Sequence, residues 1–203
     1  MALKILNLYS GLGGNRRYWT DCEVTSVELD SKIADAYKKQ FPQDELIVGD
    51  AHEYLRENID SFDFIWSSPP CQSHSKMVKA TRHKIRKYPD MKLYEEIIYL
   101  MHFSKSKWIV ENVAPYYEPL IEPTKKIGRH YFWSNFDFPE IEFPSFNRFV
   151  YTSTKAKKQE LCEWYDLQYD GTLYYNGNHD PLQVLRNSVH PKVGLHVLDY
   201  ARK

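Results

Sequence analysis

The chain has 203 residues, which is enough for one domain with a substantial core but short for two. Its 27 basic and 27 acidic residues leave no net charge, so a nucleic-acid partner would have to bind a local basic patch. The three cysteines are too sparse and irregular for a disulfide framework or a zinc site, so we predict no metal, and a reducing cytoplasm is the simplest compartment.

Short apolar runs alternate with helical patterns over the first two thirds of the chain. The pattern predicts strands at 4–9, 23–29, 46–48, 62–67 and 108–111. It predicts helices at 31–40, where Ser31 occupies an N-cap position, and at 93–103, which is strongly amphipathic. Such alternation indicates an α/β fold with a mostly parallel sheet and helices on both faces, in which ligands bind beyond the carboxyl ends of the strands.

The last third of the chain has a different character. Residues 131–149 are rich in aromatic side chains and contain Pro139 and Pro144, which suits strands and turns. Residues 155–180 are polar and rich in tyrosine, and their pattern assigns no element. Residues 184–202 end in a helix-like pattern.

Three features at successive strand ends indicate a nucleoside-binding site. Gly11, Gly13 and Gly14 form a turn directly after the first strand, where the backbone can pass close to a ligand. Glu28 ends the second strand, where an acid can hold ribose hydroxyls, and Asp50 follows the third, where it can accept from an adenine amino group. Each feature alone is equally consistent with a plain turn or a solvated acid, but together they favour a nucleoside.

The same turn argues against a phosphorylated ligand. The chain contains neither the dinucleotide-binding glycine fingerprint nor a phosphate loop ending in Gly-Lys-Ser or Gly-Lys-Thr. Arg16 and Arg17 are the basic residues that the turn offers to a pyrophosphate. A ligand without phosphates fits better, and S-adenosylmethionine is the common one.

A reactive cysteine is predicted after the fourth strand. Pro69 and Pro70 stiffen the loop and fix the direction of Cys71, whose thiolate would be a strong nucleophile. A free cysteine is more often a buried structural residue, but a loop at the end of a central strand beside a cofactor favours the nucleophile. Glu111, at the end of the fifth strand, can reach the same pocket or be an ordinary exposed acid, and Asn112 can orient the loop through backbone hydrogen bonds.

The sequence resembles the DNA (cytosine-5) methyltransferases. The shared stretches are 7–14, 27–30, 49–50, 70–75 and 111–113, with weaker similarity at 129–135 and 187–191. They follow the order of the family over most of the chain, and Pro-Cys-Gln followed by Glu-Asn-Val is a specific combination. Enzymes of this fold that methylate amino groups carry an aromatic residue where Cys71 stands, so the cysteine indicates methylation of carbon.

The resemblance implies a Rossmann-like S-adenosylmethionine-dependent methyltransferase fold and transfer of a methyl group to carbon 5 of cytosine in DNA. Cys71 would form a covalent adduct with a base flipped out of the duplex, and Glu111 would hold or donate a proton at ring N3. Arg129 would complete the catalytic set by contacting the cytosine O2, although His130 is the alternative for that contact.

The resemblance also implies a cofactor site. Tyr9 would lie against the adenine or methionine part, Glu28 would bind the ribose, and Asp50 would bind the adenine amino group. Asn187 and Ser188 would return to the cofactor from the C-terminal segment. The other cofactor contacts that the resemblance implies are Gly11, Gly13, Gly14, Leu29, Ala51 and Pro70.

The substrate contacts lie in the loop after the nucleophile and beside the catalytic acid. They are Gln72, Ser75, Asn112, His130, Lys76, Lys79 and Arg82. A basic run supplies the local patch that the neutral average requires, with Asp90 as its one acid. It comprises Lys76, Lys79, Arg82, Lys84, Arg86, Lys87 and Lys92. Phosphates of DNA are the natural partners of such a run, and a solvated helix face is the alternative.

The chain departs from the family at four positions. Asn7 stands where an acid is common, and Leu29 stands where an aromatic residue is common. His130 falls where the second arginine of the family would be, after Arg129. Arg186 stands where glycine usually precedes Asn-Ser-Val.

A single domain over 1–203 is predicted, with 137–180 as a minimal recognition insertion and 181–203 returning to the cofactor. So short an insertion implies a short recognition sequence, weak specificity, or a homo-oligomer or accessory partner. Its lysines and aromatic residues can contact DNA or form a small aromatic core. They are Lys155, Lys157, Lys158, Trp164, Tyr165, Tyr169, Tyr174 and Tyr175.

Two other functions compete with DNA methylation. A related branch of the family methylates transfer RNA, and a catalytically silent DNA-binding regulator would bind without turnover. We expect a cytoplasmic protein of a bacterium or a phage-infected cell, because the N-terminus resembles no signal peptide and no apolar run approaches bilayer length. A compact enzyme of this kind would suit a phage or mobile element that shields its DNA.

Overall fold

The computed structural model describes residues 2–76, 88–142, 158–174 and 180–203, and these fold around one seven-stranded sheet. The strands are β1 Leu3–Leu8, β2 Cys22–Glu28, β3 Glu45–Val48, β4 Phe64–Ser67, β5 Lys107–Val113, β6 Lys125–Ile127 and β7 His130–Ser134. They lie in the order β3-β2-β1-β4-β5-β7-β6, with β1 to β5 parallel and β7 antiparallel to both of its neighbours. The predicted α/β fold with a mostly parallel sheet is confirmed.

Six α-helices accompany the sheet in the described ranges. They are α1 Ser31–Gln40, α2 Ala51–Asn58, α3 Lys92–Phe103, α4 Lys158–Tyr165, α5 Gln183–Arg186 and α6 Pro191–Ala201. Searched over the same ranges, the structure contains no helix of the length and apolarity that a membrane crossing requires.

The start of α1 differs in one respect from the sequence prediction. The helix spans the predicted residues 31–40, but its N-cap is Asp30, whose carboxylate accepts hydrogen bonds from the backbone N–H groups of Lys32 and Ile33. The prediction that Ser31 is the N-cap is therefore wrong by one residue. Aspartate and serine are equally good N-cap residues, and Asp30 is the one that directly precedes the first helical residue.

Two short elements gave no recognisable signal in the sequence. Helix α2 begins after Asp50, and only Ala51 and Leu55 of its residues are buried, which is too few to produce a clear helical period. Strand β6 has three residues and a single buried side chain, Ile127. Both elements form because they pack against or pair with larger elements. Such tertiary contacts leave no pattern in the local sequence.

Apolar side chains cover both faces of the sheet. On one face Ile5, Trp66 and Phe132 pack with Val193 and Val197 of α6. On the other face α2 and α3 cover the sheet, and Leu6 and Ile65 are among the strand residues that they bury. Alternate strand residues thus enter opposite cores, which fixes the register of every central strand.

A third core joins the late part of the chain to α1. Tyr37 and Phe41 of α1 pack with Leu161 and with the aromatic residues Tyr165 and Tyr169. These two tyrosines belong to the aromatic core that was one of the two predicted alternatives. Tyr174 is 57% exposed, and residues 143–157 and 175–179 lie outside the described ranges.

A buried polar network joins the segment after the glycine turn to α1, to β2 and to the loop before β3. Arg16 donates hydrogen bonds to both carboxylate oxygens of Asp44, at 2.8 and 2.9 Å, and both side chains are almost inaccessible. Tyr37 donates its hydroxyl proton to Asp44 and accepts a hydrogen bond from Ser26. Each charged or polar group in this network has a partner, as buried groups require.

Asp44→Asn is expected to lower the free energy of unfolding by about 3–5 kcal/mol, because it leaves the buried Arg16 charge uncompensated. The matched control is the surface pair of Arg17 and Asp166, whose side chains are 33% and 51% exposed. Asp166→Asn is expected to cost less than about 1 kcal/mol. Urea unfolding of both variants measures the difference, and equal losses would show that the Arg16 pair is not a buried support.

Candidate active site

The carboxyl ends of the parallel strands bring the predicted site residues to one edge of the sheet. Tyr9 follows β1, Glu28 ends β2, Asp50 follows β3, Cys71 follows β4 and Glu111 lies in the second half of β5. Because neighbouring parallel strands end at the same edge, residues far apart in sequence share one region.

Glu28 is fixed to the glycine turn. Its carboxylate accepts hydrogen bonds from the backbone N–H of Gly11 at 3.0 Å and of Asp30 at 3.1 Å, and burial raises its pKa. Gly11 has a φ of 54°, in the left-handed region that favours glycine, and a Cβ there would meet nothing within 4 Å. Glu28 is thus not a freely solvated acid, and open space lies beside the turn.

The end of β3 offers a second acid and an apolar rim. Asp50 caps α2 through Oδ1, which accepts from the backbone N–H of His52 at 2.8 Å and of Glu53 at 3.1 Å. Leu29 and Val48, at neighbouring strand ends, leave 67% and 56% of their surface exposed. Exposed apolar side chains beside fixed carboxylates fit the adenosine part of S-adenosylmethionine, which needs a flat apolar contact and hydrogen-bond acceptors.

The C-terminal segment lies against the glycine turn. A Cβ on Gly14 would lie 2.4 Å from the Val189 backbone oxygen and 2.9 Å from the Ser188 Cβ. Ser188 is buried and donates to the Val184 carbonyl, while Asn187 accepts from Gln183. The segment therefore lies beside the turn, as the resemblance implied, and its contact with the cofactor stays a prediction.

Gly14→Ala is expected to weaken S-adenosylhomocysteine binding about tenfold or more, because its Cβ would push the C-terminal segment away from the turn. His102→Gln is the control, because His102 lies on the exposed part of α3 away from the glycine turn. Isothermal titration calorimetry compares the two. A Gly14→Ala affinity equal to that of the control would contradict the role of this contact.

Backbone contacts hold the Cys71 loop. The Cys71 carbonyl accepts from the backbone N–H of His74 and Ser75, which makes a tight turn directly after Cys71. Asn112 donates its side-chain N–H to the Pro69 carbonyl at 2.9 Å. Asn112 of β5 thus orients the loop after β4, which is the contact that the sequence suggested.

Glu111 is buried, so the alternative that it is an ordinary exposed acid is wrong. Its carboxylate accepts a hydrogen bond from the Ser68 hydroxyl, and Ser68 in turn accepts from the Trp66 indole N–H at 2.9 Å. His130 places Nδ1 3.4 Å from Glu111 Oε1. Burial raises the pKa of Glu111 to about 7, so this carboxyl holds a proton in a large part of the molecules near neutral pH.

The charges of neighbouring side chains change the pKa of Cys71. Burial and then the charge of Glu111 raise the pKa of its thiol to about 11, and the guanidinium of Arg129 opposes this rise. A thiolate is therefore disfavoured while Glu111 is ionised. Protonation of Glu111 and the presence of Arg129 both act in the direction that generates the nucleophile.

Arg129 and His130 lie side by side but have different partners. Arg129 donates to the Arg186 carbonyl and interacts with the hydroxyl of Tyr165. His130 contacts Glu111, and burial, followed by the charge of Arg129, lowers its pKa to about 3. His130 is therefore a neutral imidazole at physiological pH, whereas the family would place a cation there.

The model of the C-5 cytosine-specific DNA methylase family matches residues 3–121, which is more than half of the chain and includes the glycine turn, Cys71 and Glu111. The chain belongs to this family. The family that the sequence resembled is thus confirmed, and so is S-adenosylmethionine as the cofactor.

Two curated methyltransferases are similar to parts of this chain. The Homo sapiens tRNA (cytosine(38)-C(5))-methyltransferase is 30% identical over 82 residues, which is 37% of this chain and 21% of that protein. The Bacillus subtilis type II methyltransferase M1.BsuMI is 24% identical over 164 residues, which is 69% of this chain and 38% of that protein. The chain spans less than two fifths of the length of either relative.

A solved structure of a Spodoptera frugiperda DNMT2 variant is also similar. It has 25% sequence identity and a TM-score of 0.39, and the match covers 55% of this chain and 36% of that one.

Contacts in the structure account for two departures from the family. Asn7 accepts from the Asn15 side chain at 2.8 Å and donates to the Ser26 hydroxyl, which a carboxylate could not do. Arg186 donates from its guanidinium to Asp180 at 2.6 Å, which a glycine could not do.

For several of the predicted site residues, the structure shows the position but no particular role of the side chain. Gln72 and Lys76 are exposed beside Cys71, Pro70 is exposed and Ala51 is buried. Gly13 lies in the turn after β1. Lys79, Arg82, Lys84, Arg86 and Lys87 lie outside the described residues, and Lys92 begins α3.

Sequence reasoning missed Glu96. This residue of α3 is 0% exposed, and its carboxylate accepts a hydrogen bond from the hydroxyl of Tyr9, which was a predicted cofactor contact. The signal was present, because Glu96 shares the apolar face of α3 with Leu93 and Leu100. A charged residue at a core position of an amphipathic helix indicates a buried polar partner.

Proposed function

We propose that this chain transfers a methyl group from S-adenosylmethionine to carbon 5 of cytosine in DNA. The single observation that carries the proposal is the pairing of Cys71, on a loop held by Asn112, with the buried carboxyl of Glu111. A nucleophile beside an acid that is protonated near neutral pH is what addition to a pyrimidine ring requires.

Cys71 and Glu111 divide the first step between them. Carbon 5 of cytosine is a poor nucleophile until the Cys71 sulfur forms a bond to carbon 6. As electrons enter the ring, Glu111 gives its proton to N3, so that no negative charge accumulates there. The charge of Glu111 raises the pKa of Cys71, and therefore a protonated Glu111 also favours the thiolate that attacks.

The remaining steps return the protein groups to their starting states. S-adenosylmethionine, when bound, supplies the methyl group as an electrophilic carbon on a sulfonium. After carbon 5 is methylated, a base takes its proton, the bond between carbon 6 and Cys71 breaks, and Glu111 recovers the N3 proton. Across the cycle, one proton of the cytosine is exchanged for one methyl group.

The proposed contacts with the base extend to the residues around Glu111. Arg129, which lowers the pKa of Cys71, is the favoured partner of the cytosine O2, with His130 as the alternative. Gln72, Ser75 and Lys76 belong to the loop that would face the substrate. Because Glu111 is buried, the target base would leave the duplex to reach it.

The proposed domain arrangement is based on the three hydrophobic cores of the structure. Residues 1–203 would form one methyltransferase domain, with 137–180 as a minimal recognition insertion. The packing of α4 on α1 supports an insertion next to the cofactor turn. Residues 181–203 would return to the cofactor, and a second copy or an accessory partner would extend the short recognition surface.

RNA is the second candidate substrate, because the human relative is named as a tRNA methyltransferase. That match covers 82 residues, whereas the match to the type II methyltransferase covers 164. We favour DNA, in its double-stranded form, because the family model that matches residues 3–121 is named for DNA. A catalytically silent regulator is the third candidate, and the presence of Cys71 and Glu111 argues against it.

Transfer of radiolabelled methyl from S-adenosylmethionine to duplex DNA, single-stranded DNA and transfer RNA tests the proposal. We expect label as 5-methylcytosine in duplex DNA. Label in transfer RNA alone would overturn the DNA substrate but keep the chemistry. No label on any nucleic acid, with the cofactor still bound, would overturn the enzymatic proposal.

A further inference from the structure

A buried carboxylate lies behind the strand ends that form the proposed cofactor site. Glu96 accepts a hydrogen bond from the Tyr9 hydroxyl at 2.9 Å and another from the Ser67 hydroxyl. His52 places Nδ1 3.4 Å from Oε2, which is the carboxylate oxygen that also accepts from Tyr9. A buried carboxylate without such donors would be strongly destabilising, so the partners and the acid belong together.

The three partners come from three different segments of the site. Tyr9 follows β1 and precedes the glycine turn, Ser67 ends β4 before the Cys71 loop, and His52 lies in the first turn of α2. One carboxylate on α3 therefore joins the start of the glycine turn, the start of the nucleophile loop and the helix that Asp50 caps.

The backbone of Tyr9 needs such an anchor. Its φ is 55°, in the left-handed region, which costs a residue other than glycine about 1–2 kcal/mol. Burial and then the Glu96 charge raise the pKa of Tyr9, so its hydroxyl keeps the proton that it donates to Glu96. The hydrogen bond thus stabilises a strained residue at the point where the chain enters the glycine turn.

We infer that Glu96 is a positioning residue for the cofactor: it holds Tyr9, Ser67 and His52 in place and thereby sets the affinity for S-adenosylmethionine. This inference rests on the proposed function for the identity of the cofactor. A carboxylate accepts from all three groups with a full negative charge, whereas a neutral glutamine has one acceptor oxygen, so it loses the charge-assisted hydrogen bonds and requires Ser67 or Tyr9 to reorient.

Glu96→Gln, which changes no volume, is therefore expected to raise the Kd for S-adenosylhomocysteine about tenfold or more. The control is Glu57→Gln at the end of α2, because the side chain of Glu57 is exposed. Its Kd is expected to stay within about twofold of the wild type. Calorimetry without nucleic acid gives both values, and thermal unfolding of each variant reports stability separately.

A double-mutant cycle separates positioning from a general loss of structure. Tyr9→Phe removes only the hydroxyl that Glu96 binds. If Glu96 acts through Tyr9, the double variant Tyr9→Phe with Glu96→Gln should bind no worse than Glu96→Gln alone, within about twofold. Fully additive losses would show that Glu96 does not act through Tyr9, and would overturn the inference.

The possible outcomes separate the inference from the proposed function. A wild-type protein that fails to bind S-adenosylhomocysteine would overturn the proposed cofactor use. Wild-type binding with an unchanged Kd in Glu96→Gln would overturn only the positioning role. If Glu96→Gln does not fold, Tyr9→Phe and Ser67→Ala each remove one donor, and an unchanged Kd in both would overturn the role as well.

Discussion

Cys71→Ala should reduce the rate of methyl transfer by about 10⁴-fold or more while S-adenosylhomocysteine still binds. In the proposed mechanism the ring does not react until a sulfur has added to carbon 6, and no other described side chain in the loop offers a sulfur. Cys71 is absent from the predicted cofactor contacts, so its loss should not affect cofactor affinity. Single-turnover transfer to DNA measures the first quantity, and calorimetry measures the second.

Cys162→Ala is the matched control for this experiment. Cys162 is also a free, partly buried cysteine, but it lies on α4 and packs in the core beside α1. Its removal should leave the transfer rate within about threefold of the wild type. Transfer that survives in Cys71→Ala, or that disappears equally in both variants, would refute covalent catalysis by Cys71.

Glu111→Gln is expected to lower the single-turnover rate by about 10²–10⁴-fold, the usual contribution of a positioned proton donor. Glutamine fills the same volume and can still hydrogen-bond to a pyrimidine, but it cannot give a proton to N3. The comparison therefore isolates proton donation from shape. His102→Gln, on the exposed part of α3, provides a control for substitution of a titratable group away from the site.

The pH dependence of the wild type follows from the raised pKa of Glu111. Burial places this pKa at about 7, so the carboxyl holds its proton below that pH and loses it above. The share of the rate that depends on proton donation should decline as the pH rises through about 7, and Glu111→Gln should lack this decline. A decline that persists in the variant would assign it to another group.

The same substitution predicts a change at the nucleophile. The charge of Glu111 raises the pKa of Cys71, so its removal should let iodoacetamide alkylate Cys71 at lower pH. Mass spectrometry of the labelled peptide reports this reactivity residue by residue. An unchanged alkylation profile would mean that the two groups do not interact.

Periodic elements were predictable from sequence because the tertiary structure agrees with their local pattern. Helix α1 has the predicted bounds since Ile33, Ala34 and Tyr37 mark one buried face. The five parallel strands follow from apolar runs, and their shared edge then places Glu28, Asp50 and Cys71 in one region. Motifs at strand ends are thus predictable whenever the strands are.

Side-chain burial was harder to predict, because it depends on elements that are distant in sequence. The sequence around Glu111 does not indicate whether its side chain is exposed or buried. Its burial depends on contacts with residues distant in sequence, such as Ser68 and His130. The position of Glu96 on the apolar face of α3 indicated its burial, but its partners lie 29 to 87 residues away and no local pattern identifies them. Packing of the C-terminal segment on Gly14 followed from the family resemblance alone, since no local pattern encodes it.

The most direct test of the central claim is intact-protein mass spectrometry after incubation with S-adenosylmethionine and duplex DNA in which 5-fluorocytosine replaces cytosine. Fluorine at carbon 5 cannot leave as a proton, so the bond between Cys71 and carbon 6 should persist once the methyl group has been added. The account predicts a covalent complex that requires the cofactor and maps to Cys71. Methylation of ordinary DNA with no adduct on the fluorinated duplex, or an adduct at another residue, would contradict it.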